Sequence, residues 1–331
     1  MRWSACSVLP FSFLRMLAMG GVTALLALGM HGLAKADVPR ALDTTFLMAQ
    51  QAPNLYQKII ITQSKAQWSV FQLPTSAGAQ LSPVVFDRLL TLRQMTKRPE
   101  AKEAVLIVNG GFFDPKTGAP SSFVTAPGKA ALSPEQNPSL MQNPTLAPYL
   151  SAILNRTELR ALSCDSPAAN TSDSPKTLQF AIARHLDPQA NACRVAWSLG
   201  AGPQLLPQLT SQPEGFYAPA TATAKAPRDP IGVGVPNART VVGITAEGQL
   251  IIALASQQGP KGKLPGASLQ DAAEFLKAQG AVVAMNLDGG SSSGIAYRPN
   301  AQAPWRFVFG QINPKAQPVE RAVHSVLMLR Q

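Results

Sequence analysis

Alternating and continuous apolar positions divide much of the chain into short segments that each predict a β-strand. "KIIIT" (58–62) and "WSVFQL" (68–73) indicate a first hairpin. "NARTVVGITAEGQLIIALA" (237–255) indicates a second, because two β-rich arms flank the turn residues Ala-Glu-Gly. "AVHSVLMLR" (322–330) predicts a closing strand. These segments indicate a sheet-containing globular fold.

Helical spacing of apolar residues occurs in two segments. A stripe of Val85, Leu89, Leu92 and Met95 predicts a helix in 83–100 that Pro99 would stop. "ASLQDAAEFLKAQG" (267–280) predicts another. In that helix Ser268 is the expected N-cap, Asp271 its capping-box partner and Gly280 the terminator.

Two strands end in a polar residue followed by two glycines. "AVVAMNLDGGSSSGIAY" (281–297) places Asp288 at the end of an apolar run, and "AVLIVNGGFFDP" (104–115) does the same with Asn109. Each segment alone is also typical of an ordinary turn. If the two strands lie side by side in one sheet, both Gly-Gly loops would form one ligand-binding crevice. Asp114, before Pro115, is better read as a turn residue.

The middle of the chain is rich in proline and weak in periodicity. Residues 115–198 are therefore interpreted as an irregular insertion that covers the crevice, with disordered decoration as the alternative. "GAGPQLL" (200–206) predicts the entry to a strand, followed by a Pro-rich linker to about Pro236.

The N-terminus has the features of a secretory signal peptide. Arg2 and Arg15 precede an apolar stretch over 16–30, and "AKA" ends at Ala36, where cleavage is expected. A retained membrane anchor is the alternative, although the stretch is short for a bilayer span. Cleavage would remove three basic residues, the third being Lys35, and no acid, so the net charge would fall from +11 to +8. The expected location is periplasmic or secreted.

Charge and rare residues narrow the function classes. No basic run or aromatic-interleaved basic stripe is present, so nucleic acid is not an expected partner. After cleavage the remaining cysteines are Cys164 and Cys193, which we expect to form a disulfide. The remaining histidines are His185 and His324, too few for a histidine-rich metal site, and His324 stays a candidate acid or base.

Five segments in the same order resemble the phosphodiester glycosidase family. They are "NGGFFD" (109–114), "GAGPQLL" (200–206), "NARTVVGIT" (237–245), "NLDGGSSS" (286–293) after a helix, and "ERAVHSVLML" (320–329). The resemblance implies an α+β, α/β-like fold: residues 37–331 would form a single domain with a mixed β-sheet flanked by helices and the Pro-rich insertion.

Positions carried over from the resemblance define the candidate site. Asp288, Arg239 and Asn109 are the predicted catalytic residues, with Arg239 and the Gly-Gly amides on the phosphoryl oxygens. The predicted substrate-binding residues surround them: Gly110, Gly111, Phe112, Thr240, Asn286, Gly289, Gly290, Ser291 and Ser292.

The implied reaction is hydrolysis between a sugar anomeric carbon and a phosphodiester oxygen in an envelope or extracellular glycan. Phosphate is a good leaving group, so one carboxylate suffices where ordinary glycosidases use two. No cofactor is expected, with a structural cation such as calcium left open. The alternatives are a non-catalytic carbohydrate- or anion-binding envelope protein and, less favoured by the scattered acids, a metal-dependent phosphodiesterase.

Overall fold

A computed structural model describes most of the chain after its first 44 residues. The described ranges are 45–52, 55–63, 65–128, 131–164, 178–189, 193–221, 225–259 and 263–331. The predicted signal peptide, residues 1–36, lies outside them. The described residues belong to a single domain with 42% strand and 16% helix.

The strands follow one another through most of the described chain. They are β1 (Thr45–Ala52), β2 (Tyr56–Thr62), β3 (Gln67–Leu73), β4 (Leu81–Leu90), β5 (Ala104–Asn109), β6 (Val124–Thr125), β7 (Thr157–Cys164), β8 (Leu178–Arg184), β9 (Cys193–Gly200), β10 (Gln204–Leu206), β11 (Arg239–Thr245), β12 (Leu250–Ser256), β13 (Ala281–Asn286), β14 (Gly294–Tyr297), β15 (Arg306–Phe309) and β16 (Val323–Arg330). The α-helices are α1 (Leu92–Met95), α2 (Pro138–Met141), α3 (Leu150–Ile153) and α4 (Leu269–Ala278). Single 3-10 turns span Thr75–Gln80, Pro99–Ala101, Pro134–Gln136, Ala147–Tyr149 and Gly290–Ser292.

Three antiparallel sheets make up the fold. The largest has seven strands in the order β1-β2-β3-β12-β11-β13-β10. A five-stranded sheet has the order β15-β14-β5-β16-β4, and a four-stranded sheet the order β6-β9-β7-β8. Every strand pairing among the described residues is antiparallel, so the expected mixed sheet is wrong. The fold is dominated by sheet rather than balanced between helix and sheet.

The core lies where the sheets face each other. One apolar cluster draws buried residues from all three sheets, among them Phe71, Leu106, Leu159, Val242 and Leu327. Burial of each such side chain contributes about 1.5–3 kcal/mol to stability. This shared core joins the three sheets into one body.

Two further clusters cover the outer faces. On the seven-stranded sheet, Trp68 stacks on Phe275 of α4 with ring centroids 3.9 Å apart. Ser268 caps α4, and the Asp271 side chain accepts from the Ser268 amide, as predicted. On the five-stranded sheet, α1 packs through Leu92 and Met95.

The predicted hairpins and closing strand are confirmed. β2 pairs with β3, and β11 pairs with β12 in the register expected for a tight turn. β16 is the predicted closing strand, but it lies inside its sheet, between β5 and β4.

The helix predicted over 83–100 is wrong. Most of this segment is strand β4, in which Val84 and Phe86 are buried while Asp87 and Arg88 are exposed. Pairing with β16 outweighs the weak helical stripe. Only one turn of helix remains, α1, which Thr91 caps in a capping box with Gln94.

The interpretation of 115–198 as an irregular insertion is also wrong for the part of its described residues that forms strands. They contribute β6, β7, β8 and most of β9, which form the four-stranded sheet. Charged residues hide the strand pattern, because Glu158 and Arg160 are buried in β7 and bond to each other at 2.7 Å. His185 adds a 3.0 Å contact to Glu158. In the sequence, the charged residues of such a buried ion pair look like surface residues.

The predicted disulfide between Cys164 and Cys193 is confirmed, and it joins paired residues of β7 and β9. Within the described ranges no helix is both long and apolar enough to cross a membrane.

Candidate active site

The two Gly-Gly strand ends meet, although they belong to different sheets. β5 lies in the five-stranded sheet and β13 in the seven-stranded one, so the condition of a shared sheet is not met. The sheets pack face to face, which brings the ends together. The Asp288 amide donates to the Gly110 carbonyl at 3.1 Å. The Asn109 side-chain amide donates to the Asp288 carbonyl at 2.8 Å.

Asn109 bonds to Thr240, Asp288 and Gly294 instead of facing a ligand. It is 1% exposed, and its Oδ1 accepts from Thr240 Oγ1 at 2.7 Å and from the Gly294 amide at 3.1 Å. With the Asp288 carbonyl on its Nδ2, both ends of the side chain are engaged. The predicted site residues Asn109 and Thr240 therefore hold the backbone of Asp288 in place.

Gly110 and Gly111 are glycines because other chain segments pass too close for a side chain. A Cβ on Gly110 would lie 2.5 Å from Ser325 Oγ. A Cβ on Gly111 would overlap the carbonyl oxygen of Gly200. These two glycines serve packing, and neither lines the cavity described next.

A cavity of about 450 Å³ opens beside Asp288. Its walls come from the loops after β5, β13 and β15 and from the segments before β11 and β16, together with the end of β13 and the start of β11. The lining residues are Phe112, Pro230, Ile231, Gly232, Val235, Asn237, Arg239, Asn286, Asp288, Gly289, Gly290, Ser291, Gln311 and Arg321. Seven of the predicted site residues thus share one cavity, and Asn109, Gly110, Gly111, Thr240 and Ser292 lie behind it.

Asp288 is the one carboxylate among the lining residues. Burial raises its pKa to about 6, and the Ser292 side chain, the Gly289 amide and the charge of Arg321 offset part of that shift. The Gly289 amide donates to Asp288 Oδ1 at 2.8 Å. A carboxyl group with a pKa near neutrality can exchange a proton at physiological pH, which suits acid or base catalysis.

Arg239 does not face the cavity as a free cation. It is 2% exposed, and its guanidinium donates to four backbone carbonyls, those of Ile231, Gly232, Val235 and Ala267. Four of its five N–H groups are therefore committed. Bidentate binding of a phosphoryl group, the predicted role, would require breaking some of these bonds.

Arg321 is the cavity cation that the sequence interpretation missed. It donates to Ser291 Oγ at 3.1 Å and lowers the pKa of Asp288 through its charge. Its guanidinium lies 5.6 Å from the Phe113 ring centroid. Among the described residues it forms no salt bridge within 4.0 Å. The signal was present, since Arg321 directly precedes the closing strand inside the segment 320–329.

The glycine amides expected to bind phosphate are mostly engaged. Gly110 donates to the Ser325 carbonyl at 2.9 Å, and Gly290 donates to the Ala238 carbonyl at 2.8 Å. Gly289 donates to Asp288 itself. Three of the four amides of the Gly-Gly pairs thus hold the loops in place, which leaves side chains as the main polar groups of the cavity.

Some polar atoms near Asp288 keep unused hydrogen-bonding capacity. Asn286 is 1% exposed, and its Nδ2 donates to the Gly202 and Leu287 carbonyls. Its Oδ1 has no partner among the described residues. Ser292 Oγ likewise makes no bond of normal geometry, although it is near enough to Asp288 to lower its pKa. Buried polar atoms of this kind are available to a ligand or to water.

Other candidates from the sequence lie away from the cavity. Asp114 accepts from the Lys116 amide at 2.8 Å, which confirms its interpretation as a turn residue. His324 is not a lining residue, and burial lowers its pKa. Within the described ranges no three His, Cys, Asp or Glu side chains gather in a way that could hold a metal ion.

Comparison with known proteins assigns the family. The profile of the family described as phosphodiester glycosidase matches residues 102–330, more than half of the chain. The chain belongs to the phosphodiester glycosidase family. The matched region contains every predicted site residue of this family member, together with Arg321. No curated protein matches the chain in sequence.

A solved structure shows the same fold at low identity. The catalytic domain of zebrafish N-acetylglucosamine-1-phosphodiester alpha-N-acetylglucosaminidase, auto-inhibited by its pro-peptide, superposes with a TM-score of 0.53 and 17% identity. That match covers 90% of this phosphodiester glycosidase family member and 86% of the zebrafish chain. A hypothetical protein from Synechocystis matches with a TM-score of 0.43 and 16% identity, over 83% of this chain and 62% of the other.

Proposed function

We propose that this protein is an exported hydrolase that cleaves the bond between a sugar anomeric carbon and a phosphodiester oxygen in an envelope or extracellular glycan. The observation that carries the proposal is a single carboxylate, Asp288, whose pKa is raised to about 6 in a cavity that also holds the cation of Arg321. Family membership agrees with this chemistry. A basic chain, +8 after removal of residues 1–36 as calculated above, suits an anionic substrate.

Asp288 serves as the base in this mechanism. Above its pKa of about 6 the carboxylate accepts a proton from the water that attacks the anomeric carbon. The bond to the phosphodiester oxygen breaks, and the electron pair leaves with a phosphate monoester. That leaving group needs little protonation, so no second carboxylate is required in the cavity.

Arg321 binds the phosphoryl group in this mechanism. Its guanidinium lines the cavity and is held by one bond to Ser291, which leaves most of its donors available. Charge-assisted hydrogen bonds from arginine to phosphate are stronger than neutral ones and become more valuable in a partly dehydrated cavity.

The test is turnover of a panel of sugar 1-phosphodiesters by the purified protein and its Asp288→Asn variant. We expect the wild type to release a phosphate monoester from at least one diester, and Asp288→Asn to lose at least about a hundredfold in kcat/KM. The matched control is Asp114→Asn, the same substitution in the other Gly-Gly loop and outside the cavity. It should keep wild-type rates.

Two results would contradict the proposal. Wild-type rates in Asp288→Asn would remove Asp288 from the mechanism. Saturable binding of sugar phosphodiesters without turnover of any of them would instead support the non-catalytic binding protein.

A further inference from the structure

The cavity has two unlike walls. One wall consists of the side chains and backbone of Pro230, Ile231, Gly232 and Val235, with Phe112 beside them, and carries no charged side chain. The other consists of polar residues, Asp288, Ser291, Gln311 and Arg321. A ligand that fills the cavity therefore meets both an apolar segment and charged side chains. We call residues 230–235 the apolar wall.

Arg239, which also lines the cavity, holds the apolar wall through the carbonyls of that segment. Its guanidinium donates to the carbonyls of Ile231 at 2.8 Å, Gly232 at 2.5 Å and Val235 at 3.0 Å. A fourth bond, from Nε to the Ala267 carbonyl at 3.0 Å, anchors the guanidinium to the chain just before α4. One buried side chain thus ties three carbonyls of a single short segment to the body of the domain.

The carboxylate of Asp229 stabilises the turn that forms the apolar wall. Both oxygens of Asp229 accept from the Val233 amide, at 2.8 and 3.0 Å. Gly232 between them has φ of 62°, a left-handed conformation that favours glycine. Burial lowers the pKa of Arg239 to about 10, and the charge of Asp229 offsets part of that shift. The two opposite charges therefore stabilise one compact turn.

This arrangement leaves Arg321 as the cation for an anionic ligand group. Arg239 has one uncommitted N–H, whereas bidentate phosphate binding uses two. Arg321 has a single hydrogen bond among the described residues, to Ser291. The two arginines of the cavity consequently have different tasks, one structural and one for the ligand.

We propose that the cavity orients its ligand, with the phosphoryl group at Arg321 and Ser291 and the uncharged sugar part against the apolar wall, and that Arg239 is a positioning residue that shapes this wall. The inference rests on the proposed function for its ligand class, a sugar phosphate. It predicts that a substitution of Arg321 and a substitution of Arg239 affect two different parts of the same ligand.

The experiment measures binding instead of turnover. Dissociation constants are determined calorimetrically for inorganic phosphate and for a panel of hexose 1-phosphates, using the full protein, Arg239→Lys and Arg321→Gln. In the wild type the best hexose 1-phosphate should bind more tightly than inorganic phosphate, because it also contacts the apolar wall. The ratio of the two constants reports the contribution of that wall.

Arg321→Gln should weaken both ligands by the same factor, about tenfold or more, the equivalent of one charge-assisted bond. Arg239→Lys keeps the charge and loses the planar fork. It should leave phosphate binding within about twofold and reduce the advantage of the hexose 1-phosphate about tenfold. Backbone amides of 229–235 should also exchange hydrogen faster in this variant, while those of α4 stay protected.

Asp229→Asn is the second variant, because it loosens the same wall without changing the guanidinium. It should reproduce the loss of the hexose 1-phosphate advantage, even if Arg239→Lys does not fold. Loss of inorganic phosphate binding in folded Arg239→Lys would overturn the inference, as would a wild type that binds no hexose 1-phosphate better than phosphate. If the binding pattern holds while no diester is hydrolysed, the inference stands and the proposed reaction fails.

Discussion

The two Gly-Gly loops share a sequence pattern and differ in what surrounds their glycines. In the loop after β5, Gly110 and Gly111 lie against Ser325 and Gly200, where a Cβ has no room. In the loop after β13, a Cβ on Gly289 would lie 3.2 Å from its nearest neighbour, the Ala238 carbonyl, and both glycines line the cavity. Gly110 and Gly111 allow close contact between chain segments, whereas Gly289 and Gly290 line the cavity.

The preceding polar residues differ in the same way. Asn109 uses its Oδ1 to accept from Thr240 and Gly294 and one of its two Nδ2 N–H groups to donate to Asp288. Asp288 keeps its carboxylate at the cavity wall. A pair of glycines after a polar residue therefore does not by itself identify a ligand loop, and the space around a hypothetical Cβ distinguishes the two cases.

The largest effect on stability is expected for Gly111→Ala. The added methyl group would overlap the Gly200 carbonyl, which is backbone and cannot move aside without displacing β9. Overpacking of this kind costs about 1–3 kcal/mol, and more where backbone must shift. Urea unfolding measures the loss, and a variant as stable as the wild type would contradict the packing role of this loop.

Asn109→Ala should be the next most destabilising change. It would leave the Gly294 amide and the Asp288 carbonyl without partners in a buried region. Each buried unsatisfied group costs about 1–3 kcal/mol. Asn109→Asp, which keeps the acceptor for Gly294 and loses the donor to Asp288, should fall between the wild type and Asn109→Ala in denaturant unfolding.

Asp288→Asn should stabilise the protein at neutral pH. The folded-state pKa is raised from 3.8 to about 6, so the folded state binds more protons than the unfolded state between these values. Wild-type stability therefore falls as pH rises through this window, whereas Asn does not titrate. We expect a gain of about 1–3 kcal/mol at pH 7.5 that shrinks towards pH 4. A difference in unfolding free energy that does not change with pH would argue against the raised pKa.

The smallest effect on stability is expected for Gly289→Ala. Gly289 has an extended backbone with φ of −127°, which alanine adopts readily. A Cβ added to Gly289 would lie 3.2 Å from its nearest neighbour, which would have to shift by only a few tenths of an ångström. We expect less than about 1 kcal/mol of destabilisation, together with weaker ligand binding because the methyl group narrows the cavity. Equal losses of stability in Gly289→Ala and Gly111→Ala would remove the distinction between the loops.

Local signals predicted part of this fold well. The α4 capping box, the β11–β12 hairpin and the disulfide each depend on a few neighbouring residues or on a cysteine count. β4 was missed because its strand conformation comes from pairing with β16, more than 200 residues away. The four-stranded sheet was missed because Glu158 and Arg160 neutralise each other inside it.

The candidate site shows the same contrast between features that local sequence predicts and features that depend on long-range contacts. Asp288 could be found because a carboxylate at a strand end followed by glycines is a local pattern. The different roles of Arg239 and Arg321 could not be predicted, because both are arginines in the sequence and only the groups around them in the fold differ. Four backbone carbonyls surround Arg239, and a single serine hydroxyl accepts from Arg321.

The position of β16 has a consequence for the order in which the cavity is assembled. This strand fills the space between β4 and β5, so the five-stranded sheet stays divided until residues 323–330 have been made and inserted. Pairing of segments so distant in sequence is slow. Arg321 lies two residues before this strand. The cavity is therefore complete only after β16 has been inserted between β4 and β5 and Arg321 has been brought to its place.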